Sequence, residues 1–270
     1  MISFPPAKIN LGLSIQAKRS DGYHEIVSVM LPIPLVDILE VQKSDTFSFV
    51  QTGLTLPKDG KLNLCEQAFL FMQERYSIGN VRIHLRKQIP FGAGLGGGSS
   101  DAAYVLKAVD ELFDLNLPSA ELENLAAQLG SDCPFFIDSK PKLANGRGEI
   151  LSPISNNLSG YRLVVLNPKI HVSTAFAYAQ IQPTRNTTDW ILRWDGPINE
   201  WQDHLINDFE EPICGHFPLI AEIIQDLKNQ GAIYAAMSGS GSSVFGIFDI
   251  KTSPQVKKYQ DFLLLNVIMD

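Results

Sequence analysis

The sequence predicts an α+β protein built from two lobes. Three observations indicate this class: some segments alternate apolar and polar residues, others carry apolar residues at helical spacing, and both patterns occur along the whole chain. The segment 153–160, rich in Ser, Asn, Pro and Gly, is the best candidate boundary. We therefore expect an N-terminal domain over residues 1–152 and a C-terminal domain over residues 153–270, which suits a chain of 270 residues.

The first strand is predicted over residues 8–15, where polar or small residues alternate with Ile9, Leu11, Leu13 and Ile15. This alternation predicts a half-buried strand, with Lys8 and Asn10 on one face about 7 Å apart. Short apolar or alternating runs predict further strands around Phe47 and Phe49 and at residues 81–85, 161–166, 233–237 and 243–248.

Apolar residues three and four positions apart predict helices over the stripes 64–72, 102–113, 122–129 and 220–227. Ser119 and Gly130 have the chemistry of an N-cap and a stop signal for the third of these helices. Gly231 is the corresponding stop for the fourth. The second helix directly follows a glycine-rich segment, and that juxtaposition is the strongest functional signal in the chain.

Composition excludes several classes of protein. With Lys plus Arg at 22 and Asp plus Glu at 29, the net charge is −7, which disfavours binding to a nucleic-acid backbone. The sequence contains no run of 18 apolar residues and no secretory signal, so we expect no membrane span and a cytoplasmic protein. Three cysteines without metal-ligand or disulfide spacing agree with a reducing compartment.

The glycine-rich segment Pro90–Ser100 contains five glycines within the seven residues 92–98. Glycine offers positive φ and a close approach of backbone N–H groups, and the start of a helix adds a positive dipole, so the pattern predicts a polyphosphate site. A flexible linker is the alternative, but an apolar strand and an amphipathic helix flank the segment. It lacks the Gly-Lys-Ser/Thr ending of a P-loop and the βαβ context of a dinucleotide fold.

Two further motifs contain candidate functional residues. Asp132, in the run Gly130-Ser131-Asp132-Cys133-Pro134-Phe135-Phe136, is expected between a helix C-terminus and an apolar strand-like run. A carboxylate at that end of a helix needs a cationic partner, or else it is an ordinary solvated turn residue. The run Met237-Ser238-Gly239-Ser240-Gly241-Ser242-Ser243 is compatible with an anion contact or with a glycine-rich hairpin turn.

Taken in this order and spacing, the three motifs resemble the GHMP kinase superfamily. Further motifs match those superfamily members that phosphorylate a cytidylylated methylerythritol: Pro6-Ala7-Lys8-Ile9-Asn10-Leu11, Arg19-Ser20-Asp21-Gly22-Tyr23-His24-Glu25 and Asn207-Asp208-Phe209-Glu210. The resemblance covers nearly the whole chain. It implies an N-terminal lobe like domain 2 of ribosomal protein S5 and a ferredoxin-like C-terminal lobe. It also implies ATP-dependent phosphorylation of the 2-hydroxyl of that substrate, in the non-mevalonate route to isoprenoid precursors.

The resemblance also implies roles for single residues. Lys8 and Asp132 correspond to a catalytic pair in which Asp132 accepts the hydroxyl proton and Lys8 keeps that carboxylate ionised. The implied ATP-binding residues are Pro90, Phe91, Gly92, Ala93, Gly94, Leu95, Gly96, Gly97, Gly98, Ser99 and Ser100, with Asn63 and Lys87 near the adenosine. The implied substrate-binding residues are Asn10, Tyr23, His24, Ser173, Thr174 and Tyr178, with Tyr23 stacked on the cytosine ring and His24 reading its polar edge.

The implied small-molecule partners are ATP and the cytidylylated substrate, with Mg²⁺ accompanying ATP. The resemblance offers Ser99 or Ser100 as one ligand of Mg²⁺ and leaves the other ligands open, and the sequence leaves a monomer or a weak homodimer open. Two other functions remain possible from sequence: another kinase of the superfamily, of the mevalonate or homoserine type, and a non-catalytic metabolite-binding regulator on the same fold. Tyr23 and His24 distinguish the first alternative, because those substrates carry no base to stack.

Overall fold

The computed structural model describes residues 1–55, 60, 62–156, 158–181 and 193–269. Backbone contacts divide the chain into two compact units that are not two consecutive segments. The first unit comprises residues 1–8, 32–91 and 96–140; the second comprises residues 9–31, 92–95 and 141–270. Because the two units interleave along the chain, they do not test the predicted division into domains 1–152 and 153–270, which stays a prediction.

The first unit contains a four-stranded sheet of order β1-β4-β6-β5, formed by Ile2–Ser3, Ile38–Ser44, Asn80–Lys87 and Ser48–Gly53. Its pairs are antiparallel except β5 with β6, which run parallel. The helices of this unit are α1 (Leu64–Tyr76), α2 (Gly97–Leu112), α3 (Ser119–Leu129) and the short α4 (Phe135–Asp138). Buried residues on alternate positions of β6 and at helical spacing on α2 supply the core.

The second unit contains two four-stranded sheets. One has the order β2-β3-β7-β8, formed by Pro6–Lys18, His24–Val36, Lys142–Asn145 and Ile150–Pro153. The first residues of β2, through Lys8, and the last residues of β3, from Pro32, belong to the first unit. The other sheet has the order β10-β11-β9-β12, formed by Tyr234–Met237, Val244–Phe248, Arg162–Leu166 and Leu263–Ile268. The helices are α5 (Thr174–Ala179), α6 (Trp201–His204), α7 (Glu210–His216) and α8 (Pro218–Asn229).

The prediction that β2 is half-buried is wrong, because residues 7–15 are all buried. The polar face of the strand is covered by groups that match its hydrogen-bonding needs. Asn10 donates from Nδ2 to Ser28 Oγ at 2.8 Å, and its backbone N–H donates to Ser238 Oγ at 3.2 Å. Polar residues at alternate positions therefore mark a second, polar packing face here and not a solvated one.

The predicted helices and most predicted strands are confirmed within a few residues of their ends. The strand predicted around Phe47 and Phe49 is β5, which begins at Ser48. Two local predictions are wrong. Phe135–Asp138 forms a short helix and not a strand-like run, with Pro134 before it in helical conformation. Pro118, not Ser119, is the N-cap of α3. Residues 183–200 match no sequence pattern that indicates a role, and residues 182–192 lie outside the described part of the chain.

Candidate active site

The structure brings Lys8 and Asp132 together within the first unit. Lys8 Nζ lies 3.3 Å from Asp132 Oδ2, with the lysine side chain 5% exposed and the aspartate 33% exposed. The ammonium is therefore held by a buried aliphatic stem, while the carboxylate it faces can be reached from outside. An accessible carboxylate of this kind can accept a proton from a hydroxyl that binds within hydrogen-bonding distance of it.

Asp132 is held by the tight turn between α3 and α4. Helix α3 ends at Gly130, and the N–H of Cys133 donates back to the carbonyl of Gly130 at 3.1 Å. A Cβ on Gly130 would lie 3.3 Å from the sulfur of Cys133, so the turn is packed against that thiol. Burial raises the pKa of the Cys133 thiol to about 12, and the Ser99 hydroxyl bonds to the same group. The turn next to Asp132 is thus tied to the first turn of α2.

The start of α2 lies directly against the stem of Lys8. Gly96 is the N-cap, with φ +69° and no side chain to cap the first N–H groups. A Cβ at this position would come within 2.9 Å of the Phe136 ring and 3.1 Å of Lys8 carbons, so only glycine fits. The uncapped helix start, the ammonium and the Asp132 carboxylate are therefore close together in one unit, as an anion-binding reaction centre needs.

Residues 92–95 of the glycine loop are held by the serine- and glycine-rich turn of the β10–β11 hairpin. Ser238 Oγ donates to the carbonyl of Gly94 at 2.8 Å, and the N–H of Ser243 donates to the carbonyl of Ala93 at 3.1 Å. Gly94 has φ +75°, and its Cβ would lie 2.0 Å from the carbonyl oxygen of Ser238. The hairpin interpretation of residues 237–243 is confirmed, and the turn serves to fix the loop.

The other loop residues differ in what they present. Phe91 is 55% exposed, whereas the side chains of Ala93, Leu95 and Ser100 are buried. These three can therefore offer a ligand only their backbone groups. The remaining predicted ATP-binding residues of this run are Pro90, Gly92, Gly97, Gly98 and Ser99. A methyl group added at Gly98 would meet no atom closer than 3.7 Å, so the backbone there is open.

Asn63 and Lys87 already have partners inside the protein. Asn63 is the N-cap of α1, accepting from the N–H of Cys65 and closing a capping box with Glu66. Lys87 is 2% exposed and pairs with Asp37 and, at 2.7 Å, with Asp101. The structure therefore does not present either side chain as a free adenosine contact. Sequence reasoning missed Asp37 and Asp101, and no motif marks them.

The predicted base-binding residues cluster in the second unit. His24 stacks on Tyr178 with ring centroids 4.7 Å apart and planes 15° apart, and Tyr178 meets Phe209 edge-on. Burial, with a smaller contribution from the charge of Lys18, lowers the pKa of His24, so the ring is neutral near pH 7. Tyr23 is 54% exposed, a large aromatic surface with room for a stacked ring.

Arg147 is the residue of this cluster that sequence reasoning did not assign. Its guanidinium lies 4.8 Å from the centroid of the Tyr23 ring and bonds to Glu149 at 3.3 Å. The run Gly146-Arg147-Gly148-Glu149 also fits the family pattern, but the sequence gives it no role. Cation–π contact with one face of Tyr23 leaves the other face for a ligand.

Ser173 and Thr174 lie at the start of α5, on the same short helix as Tyr178. Ser173 is its N-cap and accepts from the N–H of Phe176 at 3.1 Å. The hydroxyl of Thr174 is 3.5 Å from that of Ser240 in the hairpin turn. Asn10 is 2% exposed and engaged with Ser28, so its side chain is a buried part of β2.

Within the described ranges no helix has the length and hydropathy to cross a membrane. In that same part of the chain, no three His, Cys, Asp or Glu side chains are grouped so that they could hold a metal ion. The candidate groups are therefore an ion pair and backbone amides in the first unit, and an aromatic cluster in the second.

The fold and this site define a small-molecule kinase of the GHMP class. The family model for the GHMP kinases N terminal domain matches residues 63–140, which contain the glycine loop and Asp132. The model for the GHMP kinases C terminal domain matches residues 201–263. The predicted α+β, two-lobed fold is confirmed by these matches together with the structural neighbours.

Relatives with high sequence identity narrow the assignment from the GHMP class to one family within it. A 4-diphosphocytidyl-2-C-methyl-D-erythritol kinase of Azobacteroides pseudotrichonymphae is 49% identical over 92% of this chain and 93% of its own length. That of Bacteroides fragilis strain YCH46 is 47% identical over 95% of this chain and 94% of its own. The chain therefore belongs to the 4-diphosphocytidyl-2-C-methyl-D-erythritol kinase family.

Solved structures agree with this assignment. A crystal structure of a 4-(cytidine 5'-diphospho)-2C-methyl-D-erythritol kinase superposes with a TM-score of 0.73 at 34% identity, covering 92% of this chain and 90% of that one. A mevalonate kinase superposes with a TM-score of 0.72 at 15% identity, covering 97% and 96% of the two chains. The second likeness concerns the fold alone.

Proposed function

We propose that this protein transfers the γ-phosphoryl group of ATP to the 2-hydroxyl of 4-diphosphocytidyl-2-C-methyl-D-erythritol. The observation that carries the proposal is the Lys8–Asp132 pair, which packs at the uncapped start of α2. Its ammonium and carboxylate groups lie 3.3 Å apart. Family membership at 49% identity supports the choice of acceptor. Phosphoryl transfer depends mainly on positioning and charge compensation, which this arrangement supplies.

The reaction follows from the roles of these groups. The substrate hydroxyl oxygen bonds to the γ-phosphorus while the bond from that phosphorus to the bridging oxygen of ADP breaks. Asp132 accepts the hydroxyl proton, and the Lys8 ammonium orients that carboxylate and offsets negative charge at the reacting oxygens. ADP leaves with the electron pair of the broken bond.

ATP phosphates are assigned to the loop Pro90–Ser100. The positive end of the α2 dipole and the uncapped N–H groups after Gly96 favour an anion there. The described residues contain no group of three His, Cys, Asp or Glu side chains that could hold a metal ion, and no protein ligand is assigned to Mg²⁺.

The cytidine moiety is assigned to Tyr23, His24 and Tyr178. The exposed face of Tyr23 offers a stacking surface, and a neutral His24 has one nitrogen that donates and one that accepts, which suits the polar edge of cytosine. Ser173 and Thr174, at the start of α5, are assigned to the same ligand. Asn10 is assigned to the neighbourhood of the acceptor, as the resemblance implies.

A single assay tests the function. Release of ADP is measured with the purified protein, ATP and, in turn, 4-diphosphocytidyl-2-C-methyl-D-erythritol, mevalonate and homoserine. The proposal expects turnover with the first acceptor alone. Turnover with mevalonate or homoserine would make the protein another GHMP kinase, and nucleotide binding without turnover on any acceptor would make it a regulator.

A further inference from the structure

A buried ion cluster in the first unit has no part in the proposed chemistry. Lys87, the last residue of β6, pairs with the carboxylates of Asp37 and Asp101, the latter at 2.7 Å. All three side chains are at most 2% exposed. Such a cluster costs desolvation free energy, so its position in the fold needs a reason beyond stability.

The cluster holds the chain on both sides of the glycine loop. Asp37 Oδ1 accepts the backbone N–H groups of Gln88 and Ile89, the residues just before Pro90, the latter at 2.9 Å. Asp101 lies one helical turn inside α2, the helix that the loop opens. Lys87 therefore joins the residues that precede the loop to the helix that follows it.

The start of α2 rests on the ammonium itself. A Cβ on Gly97 would lie 2.8 Å from Lys87 Nζ and 2.8 Å from Ile89, so the first residue of the helix is in van der Waals contact with the cluster. The N–H groups that point away from the helix at this end are the proposed phosphate ligands. A shift of Lys87 would move them directly.

The cluster also holds a charge that depends on pH. Burial raises the pKa of Asp101 to about 7, with the Asp37 charge adding to this effect and the Lys87 ammonium opposing it. Asp101 Oδ1 is buried without a hydrogen-bond partner in the described part of the chain. Burial, with smaller contributions from the charges of Asp101, Asp37 and Glu66, raises the pKa of the Cys65 thiol on the facing helix α1 well above its ordinary value, so the thiol stays neutral.

We propose that Asp37, Lys87 and Asp101 form a clamp that positions the glycine loop for polyphosphate binding, and that Lys87 acts in this way and not as an adenosine contact. The proposal rests on the proposed function, because it assigns phosphates to the loop. The three residues are positioning residues: they act through the backbone amides at the start of α2 and touch no ligand themselves.

The test compares two variants that differ by the ammonium alone. Asp101→Asn keeps Lys87 and an oxygen for it to bind. The double variant Lys87→Met with Asp101→Asn removes the link while leaving Asp37 bonded to the backbone that precedes the loop. Lys258→Met, which loses an exposed ion pair, is the control for general loss of charge. Dissociation constants are measured for ATP, inorganic tripolyphosphate and adenosine.

The clamp predicts that the double variant binds ATP and tripolyphosphate about tenfold more weakly than Asp101→Asn, because the amides at the start of α2 are no longer held in position, with adenosine binding unaffected. Weaker ATP and adenosine binding with unchanged tripolyphosphate binding would make Lys87 an adenosine contact and overturn the proposal. Unchanged affinity for all three ligands would overturn it as well.

A pH series gives a readout that a merely structural role would not move. Between about pH 6 and about pH 8.5 the wild type is expected to lose about fivefold more tripolyphosphate affinity than Asp101→Asn, because a new negative charge appears near the phosphate site. Parallel pH curves would overturn the role of Asp101, even if the double variant fails to fold. If the wild type binds tripolyphosphate but phosphorylates no cytidylylated acceptor, the proposed function is wrong and the clamp proposal stands. If the wild type binds no polyphosphate, both proposals are wrong.

Discussion

The Lys8 ammonium lies 3.3 Å from Asp132 Oδ2, and carbons of the same lysine stem would lie 3.1 Å from any Cβ on Gly96. One side chain thus touches both the candidate base and the residue that opens α2. Because the stem is buried, it has little freedom to adopt other rotamers, and the separation between carboxylate and helix start is fixed by packing. Three predictions about activity follow from this geometry and from the aromatic cluster, and a fourth concerns stability.

Asp132→Asn is expected to lose turnover by about 10²- to 10⁴-fold while ATP still binds, because removing a general base has that effect. Steady-state ADP release and ATP affinity measure the two quantities. Asp138→Asn is the matched control, since it replaces an exposed carboxylate on the neighbouring helix α4. Turnover near the wild-type rate in Asp132→Asn would show that another group accepts the proton.

Gly96→Ala and Gly98→Ala are expected to have opposite effects. At Gly96 the methyl group would meet the Phe136 ring at 2.9 Å in a left-handed backbone, so we expect a loss of about 2 kcal/mol or more in stability, and reduced turnover because Lys8 is displaced. At Gly98, inside α2, the nearest atom is 3.7 Å away, and alanine should stabilise the helix by about 0.5–1 kcal/mol.

Thermal unfolding and kinetics of both glycine variants distinguish two reasons for glycine in this loop. If Gly98→Ala folds more stably but binds ATP weakly, glycine at that position is required by the ligand. If Gly96→Ala is as stable and active as the wild type, the close packing of Lys8 against the helix start does not limit the site.

Tyr23→Ala is expected to weaken binding of the cytidylylated substrate by about 10- to 100-fold, since stacking on a base contributes about 1–3 kcal/mol. ATP binding should not change. Tyr23→Phe keeps the ring and should retain substrate affinity, which separates stacking from any effect of the hydroxyl. Calorimetric titration with each ligand measures this, and an equal loss for both ligands would place Tyr23 outside the cytidine site.

Local patterns made much of the fold predictable. The apolar stripe after the glycine run predicts α2, and the structure has that helix begin at Gly97. Positive φ at Gly94 and Gly96 was expected from the loop chemistry. The pairing of Lys8 with Asp132 could be proposed only through the family resemblance, because no periodicity connects a strand with a remote turn.

The buried polar and charged groups could not be predicted from the sequence, because burial depends on the tertiary structure. Asp37 and Asp101 have no motif, and an aspartate at either position is ordinarily solvated. Lys87 was assigned to adenosine by resemblance, whereas the structure surrounds it with two carboxylates. Likewise the polar positions of β2 suggested solvent, and only the neighbouring strand, with Ser28, explains why they are buried.

Asp101→Asn is expected to change how stability depends on pH. The pKa of Asp101 is raised to about 7 by burial, whereas in the unfolded chain an aspartate titrates near about 4. The stabilising contribution of the protonated carboxyl is complete below about pH 4 and is lost as pH rises through about 7. Relative to Asp101→Asn, the wild type should therefore lose on the order of 2–4 kcal/mol of unfolding free energy across that window.

Urea unfolding at a series of pH values measures the difference, with Asp138→Asn as the exposed control. If the curves of wild type and Asp101→Asn stay parallel, the carboxyl is ionised throughout, and the pH dependence proposed for the clamp is wrong.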